Sequence, residues 1–251
     1  MRMEFLPYKY SLTGTKRQIR KGENMMTFAE NNLPALSIAA TIIFSYLAGS
    51  IPFGFLIGKM KGIDIREHGS GNIGATNVTR VVGKWWGKGC FFCDFLKSAV
   101  PVAVVALLCR KGCFADPRGL LPSLAALFAV AGHIFPVWLK FKGGKGISTA
   151  AGAVLALNPP ALLASGIVWA ALFFAFRYVS LASIFAAALL PVFAWGAGKL
   201  GLWNVSDMEL ALFILLGLLA IVKHISNIKR LLNGTESRFV KKKDNTENGE
   251  K

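Results

Sequence analysis

Seven apolar runs divide the chain, at about 35–59, 91–109, 119–139, 147–158, 160–176, 179–198 and 208–223. A helix that crosses a membrane needs about 20 mostly apolar residues. Most of the runs approach that length. The fourth does not, and it is expected to be tilted, re-entrant or extended by the loop before it. The pattern predicts an all-α, polytopic integral membrane bundle with seven transmembrane segments.

Four polar clusters interrupt the apolar text. They are GSGNIGATNVTR (Gly69–Arg80), GHIFPVWLKFKGGKGISTAAG (Gly132–Gly152), RYVSLAS (Arg177–Ser183) and KHISNIKRLLNGTE (Lys223–Glu236). Each follows an odd-numbered run, so seven crossings place all four on one membrane face. Lys and Arg favour the same connections. By the positive-inside tendency, that face is cytoplasmic, the N-terminus lies outside and the C-terminus is cytoplasmic. Six basic residues in the N-terminal arm run against this, and a start at Met25 or Met26 would remove the conflict. The expected domains are a basic, flexible extension (1–34), a seven-span domain (35–236) and a disordered basic cytoplasmic tail (237–251).

Composition supports the membrane reading. Of 251 residues, 54% are hydrophobic and 17% charged, and the formal net charge is +16. The length leaves no room for a second sizeable soluble domain. The charge sits in loops and tails, so it points to membrane orientation, anionic lipid or an anionic substrate rather than to nucleic acid. The first run is long enough to span and lacks a small-residue cleavage site, which argues against a signal peptide. Cys90 and Cys93 form a lone CxxC in apolar sequence, without the second pair a zinc site needs. A buried, inert pair is expected.

The clusters suggest anion binding. Glycine lets a phosphate approach the backbone N–H groups, and a following helix start adds positive dipole. Lys145 stands between glycines, and Ser148 and Thr149 follow as a helix begins. The first loop supplies hydroxyls and amides and ends at Arg80. Its Gly69–Gly74 spacing is not a P-loop, because Ala75 and Thr76 follow where Lys and Ser/Thr are required. The competing account of any one loop is a tight turn or helix packing. Two such loops on one face favour a phosphate-type ligand.

Other polar residues carry open alternatives. No residue pattern here matches an H-x-x-x-x-D acyltransferase or a G-x-S-x-G elbow. His133, inside the third run, suits a structural or a functional role. His224 and Asn227 stand three apart and share a helix face, where they would orient a hydroxyl or phosphate or cap a helix end. Asp94 and Lys97 also stand three apart, as an intramembrane ion pair of functional or structural kind. Ser180 and Ser183 suit hydrogen bonds between helices. No cluster of carboxylates suggests a metal.

With these motifs in this order, the chain resembles the bacterial acyl-phosphate:glycerol-3-phosphate acyltransferase family. GSIPFG (Gly49–Gly54) and DIREHGSGN (Asp64–Asn72) fit as well, and the likeness runs from about residue 36 to 236. The resemblance implies a seven-span enzyme of the bacterial inner membrane whose active site faces the cytoplasm. It implies transfer of a fatty acyl group from acyl-phosphate to the sn-1 hydroxyl of glycerol 3-phosphate. The products would be lysophosphatidic acid and phosphate, in the first step of phospholipid biosynthesis. Neither acyl-CoA nor acyl carrier protein would be the direct donor, an acyl-phosphate synthase would act upstream, and no cofactor or metal is implied. Carried over by motif, Ser70, Arg80, Lys145, His224 and Asn227 would be catalytic, and Asn72, Thr76, Asn77 and Ser183 would bind substrate. The anion-loop reading adds Gly71, Gly74, Gly143, Gly144, Gly146, Ser148 and Thr149 as substrate contacts.

That chemistry is consistent with the residues. An acyl phosphate is a mixed anhydride with a good leaving group, so no covalent nucleophile is needed. Arg80 and Lys145 would hold phosphates, while Ser70, Asn72 and backbone N–H groups stabilise developing charge. Either His224 or a substrate phosphate oxygen would take the hydroxyl proton. Two positions depart from the family pattern. Ile73 stands where proline is usual, which predicts a looser loop, and Ile225 stands where arginine is usual, which removes an anion contact. Two rival functions remain on the residues alone. One is a transporter of a phosphorylated anion, although no internal repeat is visible. The other is a structural subunit whose glycines only pack helices.

Overall fold

The computed structural model describes residues 33–116 and 119–239. The N-terminal extension is therefore outside the described residues except at its last two positions, and so is the tail from residue 240. All described secondary structure is helical.

Helix α1 (33–50) and helix α2 (Phe53–Met60) form one apolar stretch broken at Ile51-Pro52. Proline has no N–H and disfavours helix in the residue before it, which accounts for the break. Short helix α3 (Ala75–Val81) lies between this pair and the long α4 (Lys84–Arg110). Helix α5 (Leu121–Ile134) runs on through a 3₁₀ turn to Leu139. The glycine-lysine loop then leads into α6 (Ile147–Leu157). Helices α7 (Pro159–Phe176) and α8 (Val179–Lys199) follow, and α7 is capped by Asn158, whose Oδ1 accepts the Ala161 N–H at 3.0 Å. Helix α9 (Asp207–Lys223) turns by 55° into α10 (Ile225–Leu232) at His224.

All seven apolar runs are therefore helices. Five helical stretches among the described residues are long and apolar enough to cross a membrane, and a sixth is if α9 and α10 count as one. Helix α6, with 11 residues, is too short by itself. Helix α4 packs against α5 and α6, and α8 packs against α7 and α9. Their shared core includes Val102, Leu121, Ala126, Val154, Leu190 and Phe213. A second apolar cluster of Ile57, Ile65, Ile73, Val78, Cys90 and Leu139 lies beneath the first polar loop.

Candidate active site

Three hydrogen bonds of Asn77 fix the first loop. Asn77 Oδ1 accepts the Ser70 N–H at 2.9 Å, and its Nδ2 donates to the Ile65 and His68 carbonyls at 3.1 and 3.0 Å. Both amide hydrogens are thus spent inside the protein, so Asn77 shapes the loop rather than donating to a ligand. Asn72 Oδ1 accepts the Gly74 N–H at 3.0 Å and tightens the turn before α3. Ile73 is 3% exposed and anchors the loop in the second apolar cluster.

The second loop rests on a buried polar network. Asp94 Oδ1 lies 2.8 Å from Lys97 Nζ and 3.6 Å from His133 Nδ1. Lys97 Nζ also donates to the Ile51 carbonyl at the α1–α2 break, at 2.8 Å. The loop sits on His133: the Gly144 N–H donates to the His133 carbonyl at 3.1 Å, and a Cβ at Gly144 would collide with the imidazole ring. Gly143 donates to the Ile134 carbonyl at 3.1 Å. These two glycines let the loop approach α5. Gly146 has φ 81° and caps α6 in the left-handed region that glycine tolerates best.

The third and fourth clusters meet at Glu236. Its Oε1 accepts from Ser180 Oγ and Asn227 Nδ2, each at 2.7 Å, and its Oε2 accepts from Arg230 Nε at 2.7 Å. Asn227 Oδ1 in turn accepts from Lys145 Nζ. Burial pushes the Glu236 carboxyl up, but the hydrogen bonds from Ser180, Asn227 and Arg230 outweigh it and hold its pKa below the ordinary value. Burial, with lesser help from the Arg230 and Arg80 charges and against the pull of Glu236, lowers the Lys145 pKa to about 8. His224 Nδ1 lies 2.7 Å from the Ala220 carbonyl, which can only accept, so Nδ1 carries the proton and Nε2 is left for other partners.

These groups line a polar cavity of about 310 Å³. Ser70, Asn72, Gly74, Thr76, Asn77, Arg80, Lys145, Gly146, Ser148, Ser183, His224 and Asn227 all reach it. Four expected residues do not. Gly71 accommodates a turn with φ 69°, Gly143 and Gly144 are taken up by α5, and Thr149 is fully buried under Ser98, whose hydroxyl donates to its carbonyl. The first turns of α3 and α6, at Ala75, Thr76, Ile147 and Ser148, border the same space. First-turn amides have no intrahelical acceptor, so two sets of donors converge there. Ile225 is 47% exposed and lies outside the cavity lining.

A second, apolar cavity of about 650 Å³ lies between α4, α5, α6, α7, α8 and α9. The two share Phe91, Lys145, Gly146, Ile147, Trp169 and Ser183, so they adjoin. Ser183 Oγ accepts from Trp169 Nε1 at 3.1 Å at this junction. The site also contains groups that residue patterns alone did not single out: Glu236, Trp169, Phe173 and Phe239. Glu236 ends the fourth motif, which was its only sequence signal.

A polar cavity lined by Arg80 and Lys145 and joined to an apolar one in a helical membrane bundle fits a protein that handles a phosphorylated lipid. The glycerol-3-phosphate acyltransferase family model matches residues 39–234. The chain belongs to the glycerol-3-phosphate acyltransferase family. It is 46% identical over 198 residues to the glycerol-3-phosphate acyltransferase of Aquifex aeolicus (strain VF5), covering 79% of this chain and 97% of that relative. Over 200 residues it is 42% identical to the enzyme of Desulfotalea psychrophila, covering 80% and 97%. Its fold is similar to the crystal structure of PlsY (YgiH), an integral membrane glycerol 3-phosphate acyltransferase, in the glycerol 3-phosphate form. The TM-score is 0.73 at 43% identity, over 81% of this chain and 96% of that one. The lysophosphatidic acid form of PlsY matches with a TM-score of 0.70 at 42% identity, over the same shares. This acyltransferase is therefore a multi-pass membrane enzyme, and its family membership sets aside the transporter and the purely structural subunit.

Proposed function

We propose that this acyltransferase moves a fatty acyl group from acyl-phosphate to the sn-1 hydroxyl of glycerol 3-phosphate, releasing lysophosphatidic acid and phosphate. The observation that carries this reading is the junction of the two cavities at Lys145, Gly146 and Ser183. A phosphate and a fatty chain belonging to one molecule need adjoining polar and apolar volumes. The comparison structures of PlsY in glycerol 3-phosphate and lysophosphatidic acid forms support the same acceptor and product.

Arg80, Lys145 and the first-turn amides of α3 and α6 bind the phosphates, and the apolar cavity takes the chain. The acceptor oxygen bonds to the acyl carbon, the bond from that carbon to the phosphate oxygen breaks, and inorganic phosphate leaves. Because Nδ1 is committed to Ala220, His224 Nε2 accepts the hydroxyl hydrogen bond, takes the proton as the ester forms and passes it to the leaving phosphate. Glu236 holds Asn227, and Asn227 holds Lys145, in position for the leaving phosphate. Seven crossings, with α6 as the short fourth, put all four polar clusters on the cytoplasmic face of the inner membrane, with the N-terminus outside and the C-terminus inside. An acyl-phosphate synthase supplies the donor. No metal or cofactor enters the reaction.

The test is direct. Purified protein is given acyl-phosphate and glycerol 3-phosphate, and lysophosphatidic acid and phosphate are followed together. Both products are expected from the wild type, with loss of about 10- to 100-fold in kcat/KM for Arg80→Ala or Lys145→Ala, the scale of one lost hydrogen bond to a charged group. Full activity in either variant, with membrane insertion intact, overturns the assignment.

A further inference from the structure

Residues 237–239 follow the matched family segment, which ends at 234. They are not a free end. The Ser237 carbonyl accepts from an Arg80 guanidinium nitrogen at 3.3 Å. Arg238 Nε donates to the Tyr178 hydroxyl at 3.0 Å, and its guanidinium lies over the Tyr178 ring. The Phe239 N–H donates to the Arg177 carbonyl at 2.8 Å. This short segment therefore ties the first loop to the α7–α8 connection, with Glu236 fixed just before it.

Ser237 and Arg238 are exposed, while Phe239 is half-buried and lines the polar cavity. Its ring packs edge-on against Phe173, with centroids 5.8 Å apart and planes at 65°. Phe173 in turn stacks on Trp169 at 5.0 Å and 17°. Trp169 and Phe173 are four residues apart on α7, one turn above the other. Trp169 stands at the junction of the two cavities. An aromatic ladder thus climbs from the cavity junction to the exposed edge of the anion site, and its outermost rung comes from the C-terminal segment.

We propose that Phe239 is a specificity-determining residue that selects the acceptor alcohol over water, by closing the outer wall of the polar cavity. This inference rests on acyl-phosphate as the donor. A mixed anhydride reacts with any oxygen nucleophile that reaches its acyl carbon. If water attacks, its oxygen bonds to that carbon, the carbon–oxygen bond to phosphate breaks, and free fatty acid and phosphate result. The anion site is rich in N–H and O–H donors and draws water in, so exclusion falls to the apolar wall. Phe239 supplies that wall without hydrogen bonding to any group proposed to hold substrate. Its removal opens the site to water while Arg80, Lys145, Asn227 and His224 stay in place.

The readout is the ratio of lysophosphatidic acid formed to phosphate released by the full chain with acyl-phosphate and glycerol 3-phosphate, corrected with heat-inactivated protein. A ratio near unity is expected for the wild type. Phe239→Ala, and a chain ended after Ser237 (which retains Glu236 and the Arg80 acceptor), should lower the ratio several-fold, with free fatty acid making up the difference. Phe239→Leu should restore most of it. A merely structural Phe239 would lower both products together and leave the ratio at unity, and that result in both altered chains overturns the inference. If Phe239→Ala melts at a lower temperature and gives no product, the ratio in the shortened chain decides. A wild type that makes no lysophosphatidic acid from acyl-phosphate refutes the function itself, and the inference with it. Coupled products in all chains refute the inference alone.

Discussion

Lys145 shows how much of one residue's behaviour is set by its neighbours. Glycines on both sides single out Lys145 as a candidate anion contact. Its lowered affinity for a proton comes from burial, with the Arg230 and Arg80 charges adding to it. Lys145 titrates at about 8 in the free protein, so it is charged below that pH and loses its charge above it. kcat/KM for glycerol 3-phosphate, which reports the free enzyme, should therefore hold steady up to about pH 7 and fall as pH rises through about 8. Lys145→Arg cannot lose its charge in this range, so its profile should stay flat even if its absolute rate is lower. A wild-type profile that is flat to pH 9.5 would show that the Lys145 charge does not govern binding. Arg80 stood out as the charge that ends a glycine-rich loop, and His224 and Asn227 as a pair three apart on one helix face; all three line the polar cavity. Glu236 did not stand out. A carboxylate near a basic tail reads as solvated charge, and its three hydrogen bonds form only when the chain after α10 turns back onto Ser180 and Asn227.

Among elements, the first loop and α3 illustrate an anchor that polarity hides. Sequence drew attention to its asparagines and hydroxyls and left Ile73 as an anomaly. The structure makes Ile73 the apolar peg that holds the loop on Ile57, Val78, Cys90 and Leu139. Ile73→Ala should destabilise this region by about 2–4 kcal/mol, the range for truncating a buried aliphatic side chain. A lower melting temperature in detergent should accompany a raised KM for glycerol 3-phosphate, since Ser70 and Arg80 bracket the peg. An unchanged KM beside a lowered melting temperature would mean that the loop keeps its shape without the peg. Helix α6 was legible as apolar and short, and its shortness has a structural use. It starts at the glycine-lysine loop and ends inside the bundle, so its N-terminus meets the polar cavity and its body the apolar one.

At the scale of the whole molecule, the joined cavities are the feature that no segment contains. Gly166 lines the apolar cavity, and a Cβ built there meets no atom within 4 Å. Gly166→Leu should fill part of the cavity without disturbing the bundle. Each methylene denied burial costs about 0.8 kcal/mol, so long-chain acyl-phosphate should lose kcat/KM relative to short-chain donors. An unaltered chain-length profile would place the acyl chain elsewhere. The sequence by itself determined an all-helical membrane protein, the order of its apolar runs and the donor-rich character of four polar clusters. Those properties depend on composition and local spacing, which a linear text records. Tertiary structure decided which donors are left facing the polar cavity and which are consumed internally, as Asn77, Gly143 and Gly144 are. It also decided that Phe239, far from the loops in sequence, lines the polar cavity, and that an apolar volume opens beside Lys145. These depend on contacts between residues far apart in the chain, and only the packed bundle brings those residues together.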